Sequence, residues 1–428
     1  MHLLALPNEV LIIILNHLHD DKYALASAAR LQKRIRRLSY LVLYRTVNSS
    51  ALKTLSTYTT ISGELHPTTY VKNLVIDNFD FQRIFEDNYI EKHMVKTIQN
   101  IGKNPNKNYR LSRLVFKSCT LPLSTVIGYN IPAALLSLKC VDLRSPFPQD
   151  TVRLCTSIYN KLCSAVLTQL TLDFSGISVR PDYTTISKIL RPLPCSSPHL
   201  ELLDLKLATT LSERPTKLLQ HLFDDEKFTF FQLNKFSFEA TDETFHLKAF
   251  LLRHPYLRKV AYRLIHSEFM QNSEKSVISD LADPAILPYI TDFTGSLINA
   301  LVLCSNDDIR RPLRRLTGLP PSRYQEYNQV LPSVITLWVS SGSDYTVAAD
   351  PLLQEYLHEL YSTIFANLIH VKFIEISVNH SDEPFLVQRH VDAIARAIVF
   401  TDEILNAPFD ILVKCNLTAK PMVEFTYG

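Results

Sequence analysis

Two pairs of arginines flank a proline in the segment Arg310-Arg311-Pro312-Leu313-Arg314-Arg315. Arginine presents a planar fork of N–H donors, which binds a carboxylate or a phosphate through two hydrogen bonds at once. The four arginines could therefore recognise a phosphorylated or acidic segment of a protein. The alternative is that they are ordinary surface charges, which loops close to strands often carry.

The sequence contains no motif for catalysis or for metal binding. It has no glycine-rich phosphate loop, no H-E-x-x-H and no G-x-S-x-G, and only eight of its 428 residues are glycine. Its seven cysteines include no C-x-x-C pair and no zinc-binding spacing. We therefore expect no catalytic residue, no metal and no cofactor. An active site assembled from residues far apart in the sequence stays open as an alternative.

The charge distribution argues against nucleic acid as the partner. The net charge is +3, and residues 1–50 hold seven lysines or arginines against three acidic residues, so the remaining chain sums to −1. The basic stretch 30–37 is interpreted as a solvated helix face rather than as a nuclear-import or nucleic-acid-binding segment. The apolar run at 10–15 is far shorter than the roughly 20 residues of a membrane helix. With no signal peptide recognised either, we expect a protein of the cytoplasm or the nucleus, with reduced cysteines.

The N-terminus carries the most specific pattern in the chain. Proline suits the first turn of a helix, where its missing N–H is not needed. After the opening Leu6-Pro7-Asn8-Glu9, apolar residues recur with helical spacing at Val10, Leu11, Ile14, Leu15 and Leu18. Because Ile12 and Ile13 are apolar as well, this helix has to be covered on more than one side, and a small module cannot do this alone. The pattern indicates a second surface that covers the helix. An ordinary buried helix is the alternative.

Two further segments extend this pattern. Residues 20–29 are typical of a second helix, and residues 34–38 with 43–47 are typical of a third. With the Leu-Pro-x-Glu opening and the Leu-Tyr-Arg-Thr-Val ending, residues 1–47 resemble the F-box, a three-helix adaptor motif. The resemblance implies binding to the small adaptor protein of a cullin–RING ubiquitin ligase. The residues that match the motif, and that we expect to contact this adaptor, are Leu6, Pro7, Val10, Leu11, Ile14, Leu15 and Leu18.

The rest of the chain repeats a short pattern, apolar-x-x-apolar-x-apolar, at steps of 24 to 40 residues between its clear copies. Each copy suits one strand, and the gaps hold helix-like stretches such as 151–166 and 242–253. A strand and a helix per unit are typical of an irregular leucine-rich-repeat solenoid. The clear copies are Val71/Leu74/Ile76, Leu111/Leu114/Phe116, Leu138/Val141/Leu143, Leu167/Leu170/Leu172, Leu200/Leu203/Leu205, Leu233/Phe236/Phe238 and Leu257/Val260/Tyr262, and looser copies are Leu287/Ile290/Phe293, Val334/Leu337/Val339 and Leu368/Val371/Phe373.

These patterns predict an α/β fold in three parts: an F-box at 1–47, a docking helix and loop at 48–70, and a leucine-rich-repeat-like α/β solenoid at 71–428. The whole resembles the F-box proteins with leucine-rich repeats that are numerous in fungi. A plain α/β domain with several parallel strands is the alternative for the third part.

In such a solenoid, equivalent residues of successive strands stack into ladders about 4.8 Å apart. Opposite charges lie on neighbouring rungs of one predicted ladder, which either pairs with itself or recognises a protein of mixed charge. Strand alternation places Trp338, the single tryptophan, on the same face, with core packing as the alternative. The predicted ladder consists of Lys117, Arg144, Asp173, Lys206, Glu239 and Arg263. The candidate substrate-binding residues are Arg144, Asp173, Lys206, Glu239, Arg263, Trp338, Arg310, Arg311, Arg314 and Arg315.

The resemblance and the ladder together predict a non-catalytic substrate receptor. The F-box would bind the ligase adaptor, and the repeat surface would hold a protein substrate. The sequence leaves open a scaffold that binds the same adaptor outside ubiquitination.

Overall fold

The structure, a computed structural model, describes residues 6–57, 66–77, 93, 96–97, 100–101, 111–117, 136–141, 166–173, 187, 190–207, 216–240, 246–264, 281, 283–295, 299, 303, 311–319, 358, 362, 373–379, 392–393, 396, 410–416 and 423–427. The chain is an α/β protein built mainly on parallel strands. It divides into unit 1, Met1–Leu222 with Phe230–Gln232, and unit 2, Phe223–Thr229 with Leu233–Gly428. The predicted divisions after residues 47 and 70 both fall inside unit 1. Among the helices that the structure describes, none is long and apolar enough to cross a bilayer.

Unit 1 begins with three short helices, α1 (Asn8–His17), α2 (Lys22–Leu31) and α3 (Lys33–Leu43). Pro7 precedes α1 as expected, and its carbonyl accepts the Leu11 N–H at 3.1 Å. Asp21 caps α2, because its carboxylate accepts the Ala24 N–H at 2.9 Å. The three helices share an apolar core of Leu11, Leu15, Leu25, Ile35 and Leu38.

The predicted third helix is too long at its C-terminal end. Helix α3 ends at Leu43, and residues 46 and 47, which were predicted to belong to it, lie in strand β1 (Thr46–Asn48). This strand pairs in parallel with β2 (Asn73–Asp77), with Val47 opposite Leu74. Tyr40 packs edge-on against Tyr44 and Tyr70, at centroid distances of 5.2 and 6.5 Å. The helical module therefore continues directly into the sheet.

The segment between β1 and β2 contains the helix that was predicted at 48–70. A 3₁₀ turn at Ser49–Ala51 leads into α4 (Leu52–Thr57), and a second 3₁₀ turn, Pro67–Tyr70, precedes β2. The Ser49 hydroxyl donates to the Asp77 carboxylate at 2.5 Å and accepts the Asp77 N–H at 2.8 Å. These bonds fix the first turn of the segment to the far end of β2.

Unit 1 continues with parallel strands that stack in chain order. They are β3 (Arg113–Lys117), β4 (Ser137–Val141), β5 (Gln169–Asp173) and β6 (Leu202–Leu207), and the short helix α5 (Leu193–Ser196) precedes β6. Leu74, Leu114, Leu138, Leu170 and Leu203 are paired in register across β2 to β6, and all are buried.

Helix α6 (Thr216–Asp224) crosses the division between the units, and unit 2 repeats the same arrangement. Its elements are β7 (Lys235–Ala240), α7 (Lys248–Arg253), β8 (Lys259–Leu264), β9 (Asp292–Thr294), β10 (Arg315–Leu319), β11 (Phe373–Asn379) and β12 (Asp410–Asn416), followed by β13 (Val423–Tyr427). The strands β7 to β12 are parallel, and β13 pairs with β12 in the antiparallel sense. The aromatic rings of Phe223, Phe228, Phe236, Phe238 and Phe250 form much of the core, all buried.

We call a strand together with the residues that immediately precede it a coil, and successive coils begin in the same way. The carbonyl oxygen of one coil accepts two consecutive N–H groups of the next, because a carbonyl has two lone pairs. The Thr168 carbonyl accepts from Glu201 and Leu202 at 2.8 and 3.0 Å, and the Arg258 carbonyl accepts from Thr291 and Asp292 at 2.8 and 3.0 Å. This repeated bond fixes the register from coil to coil.

Six of the predicted apolar copies are confirmed in position: those at β2, β3, β5, β6, β7 and β8. Three other copies are wrong by three residues. Leu138 and Phe293 occupy the second apolar position rather than the first and third, because Leu138 pairs with Leu114 and Phe293 with Val260. In β11 the second position belongs to Ile374, which pairs with Leu316, and not to Val371. The pattern missed β10 and β12 altogether, and the copy at Val334/Leu337/Val339 lies outside the described residues.

Candidate functional site

A stripe of exposed apolar side chains runs along α1. Val10 is 38% exposed, Ile13 58% and Ile14 38%. The helical positions i, i+3 and i+4 share one face, so the three side chains form a continuous surface, which we call the α1 stripe. Full burial of a branched aliphatic side chain contributes about 1.5 to 3 kcal/mol, and each residue of the stripe can gain the part of it that corresponds to its exposed fraction. The α1 stripe is therefore a site at which a partner protein could be bound.

The opposite face of α1 holds the helix in place. Leu11 and Leu15 are 2% and 5% exposed and lie in the core of the helical module. Arg34 of α3 donates from Nε to the Asn8 amide oxygen at 2.8 Å and from Nη2 to the Leu6 carbonyl at 2.7 Å. Core packing and these hydrogen bonds together fix the direction in which the α1 stripe faces.

The seven predicted adaptor-contact residues thus divide into three groups. Val10 and Ile14 belong to the exposed stripe, and Pro7 is exposed at the start of the helix. Leu6 and Leu18 are half-buried against the module core. Leu11 and Leu15 face the interior, so they support the stripe from behind instead of touching a partner. Ile13, which the motif match did not include, is the most exposed apolar residue of the helix.

The stretch 30–37 was interpreted as a solvated helix face, and only part of it is. Arg30, Lys33 and Arg37 are exposed, as expected. Arg34 and Arg36 are half-buried and bind backbone or amide oxygens of the module, including Arg36 Nε to the Ala29 carbonyl at 3.0 Å. Two of these arginines therefore hold the three helices together.

The predicted charge ladder is partly present in unit 1. Asp173 and Lys206 are paired in register, and their charged groups lie 3.9 Å apart. The Asp173 side chain is buried and the Lys206 side chain is about one-third exposed. Lys117 lies in register opposite Asp77. On these coils the ladder has opposite charges on neighbouring strands, as the self-paired interpretation requires.

Arg144 is not a rung of this ladder. The residue of β4 that pairs with Lys117 is Val141, because the whole copy is displaced by three residues. Arg144 itself lies outside the described residues, as does Trp338. In unit 2, Glu239 and Arg263 are paired in register on β7 and β8, so these two strands also bring opposite charges to neighbouring positions.

Arg311, a candidate for binding a substrate phosphate, is a structural residue, so this part of the prediction is wrong. Its side chain is 5% exposed. The guanidinium donates to the carbonyls of Leu281, Asp283 and Ile286 at distances between 3.0 and 3.3 Å, and also to that of Leu303. Every nitrogen of the fork is directed to the backbone of the protein itself, which leaves no donor pair for a phosphate.

The other arginines of this segment have different surroundings. Arg314 and Arg315 are exposed, and the backbone N–H groups of both donate to the Thr291 carbonyl. Arg310 lies outside the described residues. Of the three described arginines of this segment, Arg311 is buried and Arg314 and Arg315 are exposed, so they do not form a single binding fork.

The sequence pattern did not reveal two exposed tyrosines of unit 2. Tyr256 and Tyr289 are 69% and 53% exposed, and their rings stack at a centroid distance of 5.8 Å with an angle of 5° between them. Each stands four residues before the central apolar residue of its strand, Val260 or Phe293, and these two residues pair in register. Had the repeat in β9 been aligned on Phe293, the sequence would have predicted that the two tyrosines lie side by side.

Two histidines lie inside the protein. His254 is 3% exposed and stacks on Phe250 at a centroid distance of 4.1 Å. Burial lowers the pKa of His254 to about 4, and its Nδ1–H donates to the Phe250 carbonyl at 2.7 Å. His93 contacts the hydroxyl of Ser56 through Nδ1. Ser56 is only 2% exposed, so a substrate in solution does not reach this pair.

Among the described residues, no group of three histidine, cysteine, aspartate or glutamate side chains is placed to hold a metal ion. No protein-family model matches this chain, and no curated protein is significantly similar to it in sequence.

Proposed function

We propose that this chain is a non-catalytic substrate receptor of a cullin–RING ubiquitin ligase. Its three-helix module binds the small adaptor protein of the ligase, and its parallel-strand body, an irregular solenoid of the leucine-rich-repeat type, holds a protein substrate. The observation that carries the proposal is the α1 stripe: three adjacent branched apolar side chains, exposed on the helix that opens with the F-box-like sequence.

Exposed apolar residues that cluster on one helix face are typical of protein-binding sites. The stripe is presented by a helix whose other face is buried and whose N-terminus is fixed by Arg34. A fixed surface loses little conformational entropy on binding, so more of the burial energy appears as affinity. These features suit a stable interface with a second protein.

The mechanism that follows is proximity. The module binds the ligase through its adaptor, and the body of the chain binds a substrate. A lysine of the bound substrate then meets the charged ubiquitin-conjugating enzyme at a raised effective concentration. The chain itself forms or breaks no bond in this scheme.

The direct test is binding of the purified full chain to the adaptor of the ligase. The triple variant Val10→Ser/Ile13→Ser/Ile14→Ser removes the apolar stripe and leaves the core residues untouched. We expect it to weaken binding at least about 100-fold, because each truncated contact in the centre of an interface costs on the order of 1 kcal/mol or more.

The matched control is Leu31→Ser, which removes an apolar side chain of α2 that is 73% exposed. We expect Leu31→Ser to bind like the wild type. Leu11→Ala is a different kind of control: it should open the module itself, at a cost of about 2 to 5 kcal/mol. Wild-type protein that does not bind the adaptor, or a triple variant that binds it equally well, would contradict the proposal.

The scaffold alternative predicts the same adaptor binding, so turnover has to separate the two. If the chain is a receptor, its bound partner proteins become longer-lived in cells when the chain is deleted. If the chain is a scaffold, the complex is lost on deletion and the lifetimes of its members do not change.

A further inference from the structure

The residues that immediately precede the strands of unit 2 form an exposed surface of regular composition. In each coil the third residue before the central apolar position is buried: Leu257, Ile290 and Leu313. The fourth, the second and the first residue before that position remain at or near the surface. Because the coils stack in register, these residues form rows that run across the strands.

The three exposed rows combine aromatic and basic side chains. The fourth position holds the stacked pair Tyr256 and Tyr289, and the second and first positions hold exposed Arg258, Lys259, Arg314 and Arg315. We call these six residues the Tyr–Arg patch. The single carboxylate in the same rows is that of Asp292, which lies 3.3 Å from the Lys259 ammonium. The patch therefore combines an aromatic platform with four cations and one paired carboxylate, a net charge of +3.

Within the described part of the chain, the guanidinium groups of Arg258 and Arg314 are not used. Arg258 and Arg314 contribute backbone atoms to the repeated hydrogen bonds between coils, and their side chains form no hydrogen bond or ion pair within the described residues. The tyrosine rings cover each other on one face only and remain more than half exposed. The turn that carries Tyr289 follows Leu287, which has a φ of 54°. Because the Leu287 side chain is fully buried, its packing in the core holds this turn in place.

We propose that the Tyr–Arg patch binds an acidic, extended segment of a partner protein. Tyrosine and arginine are the residues that most often dominate binding energy in protein interfaces, since both offer large rigid surfaces with polar ends. Arg258 and Arg314 belong to coils two strands apart, a separation of about 10 Å. An extended peptide in the polyproline II conformation has three residues per turn and rises about 3.1 Å per residue, so side chains three residues apart lie on one face about 9 Å apart. Two carboxylates at that spacing meet the two guanidinium groups.

A nucleic acid fits the same patch less well. Its backbone carries a phosphate at every nucleotide, and the Asp292 carboxylate lies among the cations that would have to follow it. The two tyrosine rings already stack on each other, which removes two of the faces on which bases would stack. A peptide with separated carboxylates and an apolar side chain meets neither obstacle.

This inference concerns residues other than the α1 stripe and does not depend on binding to the ligase adaptor. If the adaptor experiment fails, the Tyr–Arg patch remains a peptide-binding surface on a protein of another kind. If the patch experiment fails, the adaptor proposal is unaffected.

The test uses the full chain and a fluorescein-labelled peptide of about 12 residues with glutamate at every third position and leucine and serine between the glutamates, followed by fluorescence anisotropy. We expect binding that weakens markedly between about 50 mM and 200 mM salt, because screening shortens the reach of the four cations. The variants Tyr256→Ser/Tyr289→Ser and Arg258→Glu/Arg314→Glu should each weaken binding at least about tenfold. All four side chains are exposed, so neither variant removes core packing.

The matched controls change the same residue types on the helical module. Tyr23→Ser alters a tyrosine that is 89% exposed, and Arg30→Glu/Arg37→Glu reverses two exposed arginines. Both should bind the peptide like the wild type. Three results would overturn the proposal: no peptide binding at high micromolar protein, equal binding of a peptide with lysine in place of glutamate, or tighter binding of a single-stranded RNA of similar length. The last of these would identify the patch as a nucleic-acid site.

Discussion

Replacement of Arg311 by methionine should unfold part of unit 2. Methionine keeps the apolar length of the arginine stem and removes the guanidinium group. In the native protein that group donates to the backbone carbonyls of four residues: Leu281, Asp283, Ile286 and Leu303. The Asp283 carbonyl also accepts the Ile286 N–H at 3.0 Å, so it keeps a partner in the variant. The other three carbonyls lose the donor that the guanidinium supplied.

The size of the effect follows from these three carbonyls. A buried polar group without a partner costs about 1 to 3 kcal/mol, so three of them should cost at least about 3 kcal/mol. This is also the range observed when one partner of a buried charged network is removed, about 3 to 5 kcal/mol. Arg311→Lys should recover only part of the loss, because one ammonium group cannot replace a fork that reaches several carbonyls.

Hydrogen exchange read by mass spectrometry provides the assay, because it reports the opening of the segments 283–295 and 311–319 separately from the rest of the chain. Arg314→Met is the matched control: it removes an exposed arginine three residues away and should change stability by less than about 0.5 kcal/mol. If segments 283–295 and 311–319 were equally protected from hydrogen exchange in Arg311→Met and in Arg314→Met, the Arg311 guanidinium would not support the fold. If Arg311→Met kept its stability but lost binding to a phosphopeptide, Arg311 would be a recognition residue after all.

Two further outcomes follow from single residues of unit 2. Burial lowers the pKa of His254 from 6.5 to about 4, so the unfolded chain binds the proton more readily and stability falls as the pH drops from about 6.5 to 4, by about 3 kcal/mol in total. Exchange protection of α7 should fall with pH over this range in the wild type and in the control His199→Gln, which changes an exposed histidine. If the same fall persisted in His254→Gln, a group other than His254 would cause it. Gly295→Ala should destabilise β9 by about 1 to 3 kcal/mol, since the added Cβ would lie 2.8 Å from the Tyr262 carbonyl oxygen and 2.7 Å from the Phe293 ring. A thermal melt unchanged from that of the wild type would show that the neighbouring coil can move aside.

Local spacing was enough to predict the helical module and most strands of unit 1. Helices α1 and α2 follow from apolar residues at helical spacing with Pro7 and Asp21 at their starts, and both signals lie within a few residues of the helix. The end of α3 was predicted wrongly for a physical reason. Thr46 and Val47 form a strand only because β2, about 27 residues later, offers hydrogen-bonding partners. Pairing between distant segments leaves no mark in the local sequence.

The errors at β4, β9 and β10 share one cause, which does not extend to β11, where Ile374 and Ile376 are both apolar. The pattern requires three apolar residues in each coil, and at β9 the third position is Gly295, where the Phe293 ring fills the space that a side chain would take. In β10 the corresponding residue, two after Leu316, is Gly318, and in β4 it is Cys140. A search for three apolar residues at this spacing then selects the nearest other triplet of apolar residues. For β4 and β9 that triplet lies three residues away, and β10 was missed completely.

The arginines of 310–315 show how far the correct register would have carried the prediction. Leu316 pairs with Phe293, so Arg314 and Arg315 stand two and one residues before the central position, where Arg258 and Lys259 are exposed as well. Their exposure follows from the repeat alone. The burial of Arg311 does not, because the carbonyls that receive its guanidinium belong to residues 281–286 and to Leu303, which only the folded chain brings together. Two arginines three residues apart therefore have opposite roles: Arg311 stabilises the unit, and Arg314 is left for a partner.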